Sequence, residues 1–391
     1  MLSTIYVDKE EKMANEIAEK NMALKKLMLS LANKKAWEYS IMLTEKSLET
    51  LDREMLKSRE HVFFIGQGTS YATALCASSW GAHIAKLNSR AITAYEFRQY
   101  LEDILLCPGR SLVVGISCGG ETESVRLALL KAREAGATTM IISGEGDIKC
   151  AEPADFRLIT DSHIESRSGT KAASVSHIFL MSAAYKLSVL IGSLNGALTE
   201  SQTEYWNKGF DEMVESMKCL PWLFDRMNEL AMDFAQRGYD NFAVLGAGPN
   251  FGTAQEAALK TCEFAWKFCA CEELEDFQHG RFREVNDNVA ILITAPSGRN
   301  DDKTEEILNI CSKAELGAFV LTDKVTDKIR ELALDVVQMP TLPDEYLTPF
   351  LYIFPYWFFG YHIMENAGGK VGESRYVYRG GFIGRPENLP K

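Results

Sequence analysis

Three ionisable side chains in the second half of the chain have the spacing of one helix face. Glu256, Lys260 and Glu263 lie at positions i, i+4 and i+7, so a helix would present them on a single side. His279, followed by Gly280, lies downstream. A carboxylate can move a carbon-bound proton, and an imidazole titrates near neutrality and can serve a ring oxygen, which is the chemistry that sugar isomerisation needs. The same spacing is also typical of an exposed salt-bridge ladder.

A second group of residues has the features of a phosphate-binding loop. Residues 116–122 read Ile-Ser-Cys-Gly-Gly-Glu-Thr, after an apolar run and before a helical pattern. Small residues let backbone N–H groups approach a ligand, a helix N-terminus favours an anion, and Ser117 and Thr122 add hydroxyl groups. The alternative is that Ser117 caps the helix. Ser70, on a neighbouring loop, favours the phosphate interpretation.

A third loop, residues 165–171 (Glu-Ser-Arg-Ser-Gly-Thr-Lys), combines Ser168 with basic residues and precedes an apolar stretch. It either closes over a phosphate or is an ordinary charged helix start. Tyr71 stands where a dinucleotide fold needs a third glycine, and the sequence contains no GxxxxGK[ST] loop. The sequence predicts no metal site and no cofactor.

These loops fall within an internal repeat. Apolar runs recur at an offset of about 180 positions: 61–66 with 242–246, 111–117 with 289–294, and 138–143 with 317–322. Amphipathic stretches of helical period separate them. Continuous apolar strands that alternate with helices predict a buried parallel sheet in each half. Ligands of such sheets bind outside the carboxyl ends of the strands, where the candidate loops lie.

The predicted fold class is therefore α/β, with two tandem domains, each a parallel sheet sandwiched by helices in three layers (αβα). The predicted division of the chain is an N-terminal helical extension (1–49), a first domain (50–198), a helical connector (199–236), a second domain (237–366) and a C-terminal tail (367–391).

Composition limits the function classes. The chain has 391 residues and a net charge of −12, which argues against nucleic-acid binding because that needs basic surface. Nine cysteines without a paired CxxC motif and a charged N-terminus without an apolar core predict a cytoplasmic protein. The apolar runs at 172–192 and 349–364 are interrupted by polar residues or proline, so they are predicted to be buried helices and not membrane spans.

Taken together, these motifs resemble the tandem sugar isomerase (SIS) domain family, and in particular the isomerase half of the glutamine:fructose-6-phosphate amidotransferases. The resemblance covers nearly the whole chain after about residue 50. It rests on the order of the following elements: Gly-Thr-Ser at 68–70, Ser-x-x-Gly-Glu-Thr at 117–122, Glu-x-Ala-Leu-Lys at 256–260, Glu263, His279-Gly280, and Pro-Glu-Asn-Leu-Pro-Lys at 386–391.

The resemblance implies roles for individual residues. Glu263 would be the base that moves a proton between C1 and C2, and His279 would assist ring opening from the partner subunit of a homodimer. Lys391 could form an imine with the open-chain sugar, and Lys260 would line the same site. The residues implied in binding the sugar phosphate are Gly68, Thr69, Ser70, Ser117, Gly119, Thr122, Ser168 and Glu256. Three positions depart from the family pattern: Gly119 replaces a serine, Cys118 replaces a polar residue and Gln67 replaces a small residue.

The function predicted from these features is that of an enzyme acting on amino-substituted hexose 6-phosphates. No glutaminase domain is expected, so the reaction would be fructosamine-6-phosphate deglycation, or deamination and isomerisation of glucosamine 6-phosphate. The alternatives are a simple aldose–ketose phosphosugar isomerase and a non-catalytic phosphosugar-binding regulator. The predicted partners are a phosphosugar and a second copy of the chain, with no nucleic acid and no membrane.

Overall fold

The computed structural model describes residues 2–170 and 172–373, with side chains from residue 14 onward. Its strands are β1 (His61–Gly66), β2 (Asn88–Thr93), β3 (Ser111–Ile116), β4 (Thr138–Ser143), β5 (Phe156–Ile159), β6 (Asn241–Gly246), β7 (Phe268–Glu273), β8 (Val289–Thr294), β9 (Ala318–Thr322) and β10 (Asp335–Gln338).

The helices of the described part are α1 (Leu2–Ser30), α2 (Lys35–Glu49), α3 (Arg53–Lys57), α4 (Thr69–His83), α5 (Ala94–Gln99), α6 (Leu101–Ile104), α7 (Glu123–Glu134), α8 (Ile164–Arg167), α9 (Val175–Leu194), α10 (Glu200–Ser216), α11 (Leu220–Arg237), α12 (Asn250–Ala265), α13 (Asp301–Lys313), α14 (Asp327–Leu332) and α15 (Pro349–Asn366). Short 3-10 turns connect several of them.

The strands form two parallel five-stranded sheets of the same topology. The first has the order β2-β1-β3-β4-β5, and the second, read from its other edge, has the order β7-β6-β8-β9-β10. The repeat predicted from the sequence is therefore confirmed as two parallel sheets flanked by helices. The sequence predicted the three inner strands of each sheet but not the edge strands, which are short or only partly buried.

Alternate residues of the strands pack into different clusters. In β1, Val62 and Phe64 belong to a large cluster that also includes residues of α4 and α9. Phe63 and Ile65 belong to a smaller cluster with Phe97 of α5 and residues of α7. Because strand side chains alternate in direction, the first sheet is covered by helices on both faces.

The two apolar runs form α9 and α15, and both helices are buried, as predicted. In the described residues, α9 is the single helix long and apolar enough to cross a bilayer, and its apolar surface is enclosed within the fold. The N-terminal helices also join this core, since the buried Trp37 of α2 contacts Phe179 of α9 and Phe210 of α10 edge to face.

Candidate active site

The helices that follow the first strand of each sheet, α4 and α12, pack closely at their N-terminal ends. The turn before α4 requires glycine, since a Cβ on Gly66 would lie 2.5 Å from the carbonyl oxygen of Ser70. Gly252 lets α12 approach α4, because a Cβ there would lie 2.9 Å from the carbonyl oxygen of Ala72. The face of α12 that carries the three predicted ionisable residues therefore lies beside the first turn of α4.

Lys260 is the centre of a cluster at this contact. Its Nζ lies 2.5 Å from Glu263 Oε2, 3.5 Å from Glu256 Oε1 and 2.9 Å from Thr69 Oγ1. The side chains of Lys260 and Glu256 are 1% and 0% exposed, whereas that of Glu263 is 46% exposed. The i, i+4, i+7 spacing is thus not a surface ladder, and Glu263 is the carboxylate of the cluster that solvent or a ligand can reach.

The charges of the buried pair are set by competing effects. Burial raises the pKa of Glu256 to about 7, although the neighbouring Lys260 opposes this rise. Burial alone would lower the pKa of Lys260, but the two carboxylates outweigh it and hold the pKa of the amine above its ordinary value. The cluster therefore keeps a fixed ammonium group, while Glu256 can change its protonation state near neutral pH. Its Oε2 is buried and has no hydrogen-bond partner among the described residues.

The predicted phosphate loop follows β3 at the carboxyl edge of the first sheet. Ser117 is buried, and its hydroxyl lies 3.1 Å from that of Thr122. The alternative that Ser117 caps the helix is wrong, because α7 begins at Glu123 with Thr122 at the N-cap position. The loop thus holds two hydroxyl groups side by side and leaves space at Gly119, where an added Cβ would meet no described heavy atom within 4 Å.

The other residues of this loop hold its shape. Gly120 adopts a positive φ of 65°, and a Cβ there would lie 2.5 Å from Ile148. The Cys118 thiol donates to the carbonyl oxygen of Ser162 (2.9 Å), and the Ser162 hydroxyl donates to the carbonyl oxygen of Cys118 (2.6 Å). Burial raises the pKa of Cys118 to about 11, so this side chain is a neutral thiol engaged with its own protein.

The second unit of the repeat shows an internal anion at the equivalent place. The register of β3 on β4 matches that of β8 on β9, so Gly119 and Gly144 correspond to Ser297 and Asp323. The Asp323 carboxylate accepts two hydrogen bonds from Ser297, one from its backbone N–H (2.7 Å) and one from its hydroxyl (3.0 Å). In the first unit both positions are glycine, so neither a hydroxyl nor a carboxylate side chain is present there. The space beside the phosphate loop of the first unit is therefore a better candidate site for an external anion than the equivalent place in the second unit.

The remaining binding residues predicted in the first unit divide into two groups. Gly68, at a φ of 55°, and Ser70 lie at the start of α4, next to the Thr69–Lys260 hydrogen bond. Ser168 is an exposed residue at the end of α8, where its N–H bonds to the carbonyl oxygens of that helix. No contact recorded for the described residues joins Ser168 to the phosphate loop.

Two predicted catalytic residues are not part of the Lys260 cluster within one chain. His279 is exposed on a 3-10 turn after β7, and its Nε2 lies 3.3 Å from Glu275 Oε1 of the same turn. Lys391 lies outside the described residues.

The structure adds two histidines that the sequence analysis did not assign to the site. His177 of α9 is buried, and its Nδ1 lies 2.8 Å from the hydroxyl of Thr73 in α4, one turn after Thr69. His163 follows β5 and packs against Gly144 at the carboxyl edge of the first sheet. The available signals were a histidine within an apolar helix and a polar run after a strand, but β5 itself had not been predicted.

Comparisons with known proteins agree with this architecture. Residues 55–191 match the model of the SIS domain. The chain is 26% identical over 340 residues to a glutamine–fructose-6-phosphate aminotransferase (isomerizing) from Thermococcus kodakarensis, a match that covers 86% of this chain and 52% of that protein. The chain thus spans about half the length of the curated relatives it matches.

Two solved structures share the fold over most of the chain. The C-terminal domain of glucosamine-fructose-6-phosphate aminotransferase from Francisella tularensis has a TM-score of 0.74 at 20% identity, covering 92% of this chain and 97% of that one. Glucosamine-6-phosphate deaminase from Thermotoga maritima has a TM-score of 0.62 at 21% identity, covering 90% and 98%. Residues 55–191 thus match the SIS domain, and the resemblance of the chain to the isomerase half of the glutamine–fructose-6-phosphate aminotransferases is confirmed.

Proposed function

We propose that this protein is a phosphosugar enzyme that acts on amino-substituted hexose 6-phosphates by ring opening and proton transfer between C1 and C2. The observation that carries this proposal is the buried Lys260, which bonds to a partly exposed carboxylate, Glu263, and to Thr69 beside the loops of the first sheet. Relatives and structural neighbours named as an aminotransferase and a deaminase of glucosamine and fructose 6-phosphates support this substrate class.

The binding step uses the first unit. The hydroxyls of Ser117 and Thr122 and the N–H groups of their loop would hold the phosphate. The sugar would then extend towards the start of α4, where Thr69 bonds to Lys260. The negative charge of the whole protein does not oppose this binding, because the recognition is by local donors that hold their positions before the ligand arrives.

The chemical step uses the second unit. Glu263 would remove a proton from one of the two carbons and return it to the other, which is general acid–base catalysis by one carboxylate. The Lys260 ammonium keeps Glu263 in one orientation and is available to stabilise negative charge that develops on the substrate oxygen during this transfer. The deglycase and the deaminase reactions both contain this step and differ in which bond to nitrogen breaks.

A homodimer is part of the proposal. Among the described residues, the His279 ring bonds to Glu275 and to no member of the Lys260 cluster, so we propose that it assists ring opening at the site of another subunit. Lys391 would contribute to the same site from the C-terminal tail. We propose neither a nucleic-acid nor a membrane partner.

A product assay on the full chain tests the function. The protein is incubated with fructosamine 6-phosphates, with glucosamine 6-phosphate, and with fructose 6-phosphate with and without ammonium, and the release of glucose 6-phosphate, fructose 6-phosphate and free amine is followed. Turnover of an amino-substituted sugar supports the proposal. Turnover of fructose 6-phosphate alone would support the simple isomerase instead, and binding without turnover of any sugar would support the regulator.

The variant Glu263→Gln tests the assignment of the base. Its kcat should fall by at least 100-fold, in the range typical of a lost general base, while KM stays within a few-fold of the parent value. Glu134→Gln, at the exposed end of α7, is the matched control and should keep full activity. Near-normal turnover by Glu263→Gln would show that another group is the base.

A further inference from the structure

The second unit holds a carboxylate at a place where the first unit has none. The carboxylate of Asp323 receives both the N–H and the hydroxyl of Ser297, so the loop after β8 holds an anion that the chain itself supplies. At the equivalent place in the first unit, the Gly119 N–H has no backbone or side-chain acceptor among the described residues. Glycine at 144 likewise provides no carboxylate, so this N–H is free to bind an anion from outside.

His163 lies where the second unit has Asp323. A Cβ built on Gly144 would lie 2.5 Å from His163 Nε2, so the imidazole takes up the space into which the side chain of Asp323 projects in the other unit. The ring is half-buried and makes no hydrogen bond or ion pair with any described residue. It therefore has a free nitrogen at the carboxyl edge of the sheet.

The segment that carries His163 is attached to the phosphate loop. Ser162 and Cys118 exchange two hydrogen bonds, one through each side chain. Because the Cys118 thiol is used in this attachment and Gly119 has no side chain, the loop itself offers few polar side-chain groups. An imidazole beside the loop would add a donor to the hydroxyls of Ser117 and Thr122, without the repulsion that a carboxylate at this place would cause.

We propose that His163 binds the phosphate group of the substrate, with its Nε2 as a hydrogen-bond donor beside the Gly119 N–H. This proposal rests on the proposed function, since it assumes a phosphorylated ligand in the first unit. It makes His163 a specificity-determining residue for phosphorylated over unphosphorylated sugars. A hydrogen bond to a charged group is typically worth about ten-fold or more in affinity.

The test is the affinity of the full chain for two probes, inorganic phosphate and glucose 6-phosphate, measured by calorimetry for the parent, His163→Ala and His163→Gln. His163→Ala should bind both probes about ten-fold more weakly. His163→Gln, which keeps an N–H donor at a similar reach, should recover most of the loss. His61→Ala removes an imidazole from the first residue of β1, at the opposite end of the sheet, and should bind as the parent does.

The outcomes separate the two proposals. If the parent binds glucose 6-phosphate and His163→Ala binds it equally well while remaining folded by circular dichroism, the role of His163 is overturned and the proposed function stands. If the parent binds neither probe, the phosphosugar function fails and the role of His163 fails with it. Equal losses in His163→Ala and His163→Gln would also contradict donation by the imidazole.

Discussion

Thr69 Oγ1 lies 2.9 Å from Lys260 Nζ, and this hydrogen bond joins the two units of the repeat. Thr69 begins α4 of the first unit, and Lys260 lies on the third turn of α12 in the second. The phosphate loop belongs to the first unit and the ionisable cluster to the second. Neither unit alone would hold the complete site, so the packing of α4 against α12 is as necessary to the proposed function as the side chains themselves.

The buried pair of Glu256 and Lys260 predicts a large loss of stability when one of the two side chains is removed. Lys260→Met leaves the carboxylate of Glu256 buried beside no cation, and the free energy of unfolding should fall by about 3–5 kcal/mol at pH 8. The measurement is urea denaturation followed by circular dichroism. The double variant Glu256→Gln/Lys260→Met removes both charges and should be more stable than Lys260→Met. Equal losses in the single and double variants would mean that the two side chains do not interact.

Glu256 also predicts a pH dependence of stability. Burial raises its pKa in the folded protein from an ordinary value of 4.5 to about 7, so between these values the folded state binds the proton more tightly than the unfolded state. The contribution of Glu256 is therefore fully present below about pH 4.5 and is lost as pH rises to about 7. Urea denaturation at several pH values should show this fall in the parent relative to Glu256→Gln. Parallel curves for the two proteins would contradict the raised pKa.

Much of the fold could be predicted because the central strands are continuously apolar. Burial on both faces favours apolar residues at the central positions of β1, β3 and β4, and the second unit repeats this pattern. An edge strand such as β2 is only partly buried, and its sequence, Asn-Ser-Arg-Ala-Ile-Thr, is mostly polar. The periodicity of its side chains therefore carried no clear signal.

The site was predictable in part for a similar reason. Spacing on one helix placed Glu256, Lys260 and Glu263 together, since helical geometry fixes their common face. Spacing along the chain could not show that Thr69 bonds to Lys260, because 191 residues separate them. The position of His163 depends on the packing of one strand end against another, and no local sequence pattern indicates that contact.

The phosphate loop contains two adjacent glycines, Gly119 and Gly120, at which a substitution is expected to have opposite effects. Gly119→Ser places a hydroxyl in a space that no described atom occupies within 4 Å. The variant should fold normally and lower the KM for the phosphorylated substrate by a few-fold, because the added hydroxyl is a further donor to phosphate. Steady-state kinetics and thermal unfolding test this prediction. A raised KM would mean that the ligand itself needs the space at Gly119.

Gly120→Ala is the matched control for that substitution. The φ of Gly120 is 65°, and its Cβ would lie 2.5 Å from Ile148, so alanine there is both strained and crowded. The variant should lose about 1–3 kcal/mol of stability. If Gly120→Ala were as stable as Gly119→Ser, the left-handed turn of the loop would not be required.

His177 predicts a pH dependence of the opposite sign to that of Glu256. Its imidazole is buried against Thr73, and burial, helped by the positive charge of Lys260, lowers its pKa from 6.5 to about 3. The folded state thus disfavours the charged imidazole, and the stability that His177 contributes above about pH 6.5 is lost as pH falls towards 3. His177→Asn keeps an N–H donor near Thr73 but does not titrate. Its free energy of unfolding should therefore fall less than that of the parent between pH 6.5 and pH 4, measured by urea denaturation.

His61→Asn, a substitution at the start of β1, is the control and should follow the parent. An equally steep loss in His177→Asn would mean that the acid sensitivity arises elsewhere.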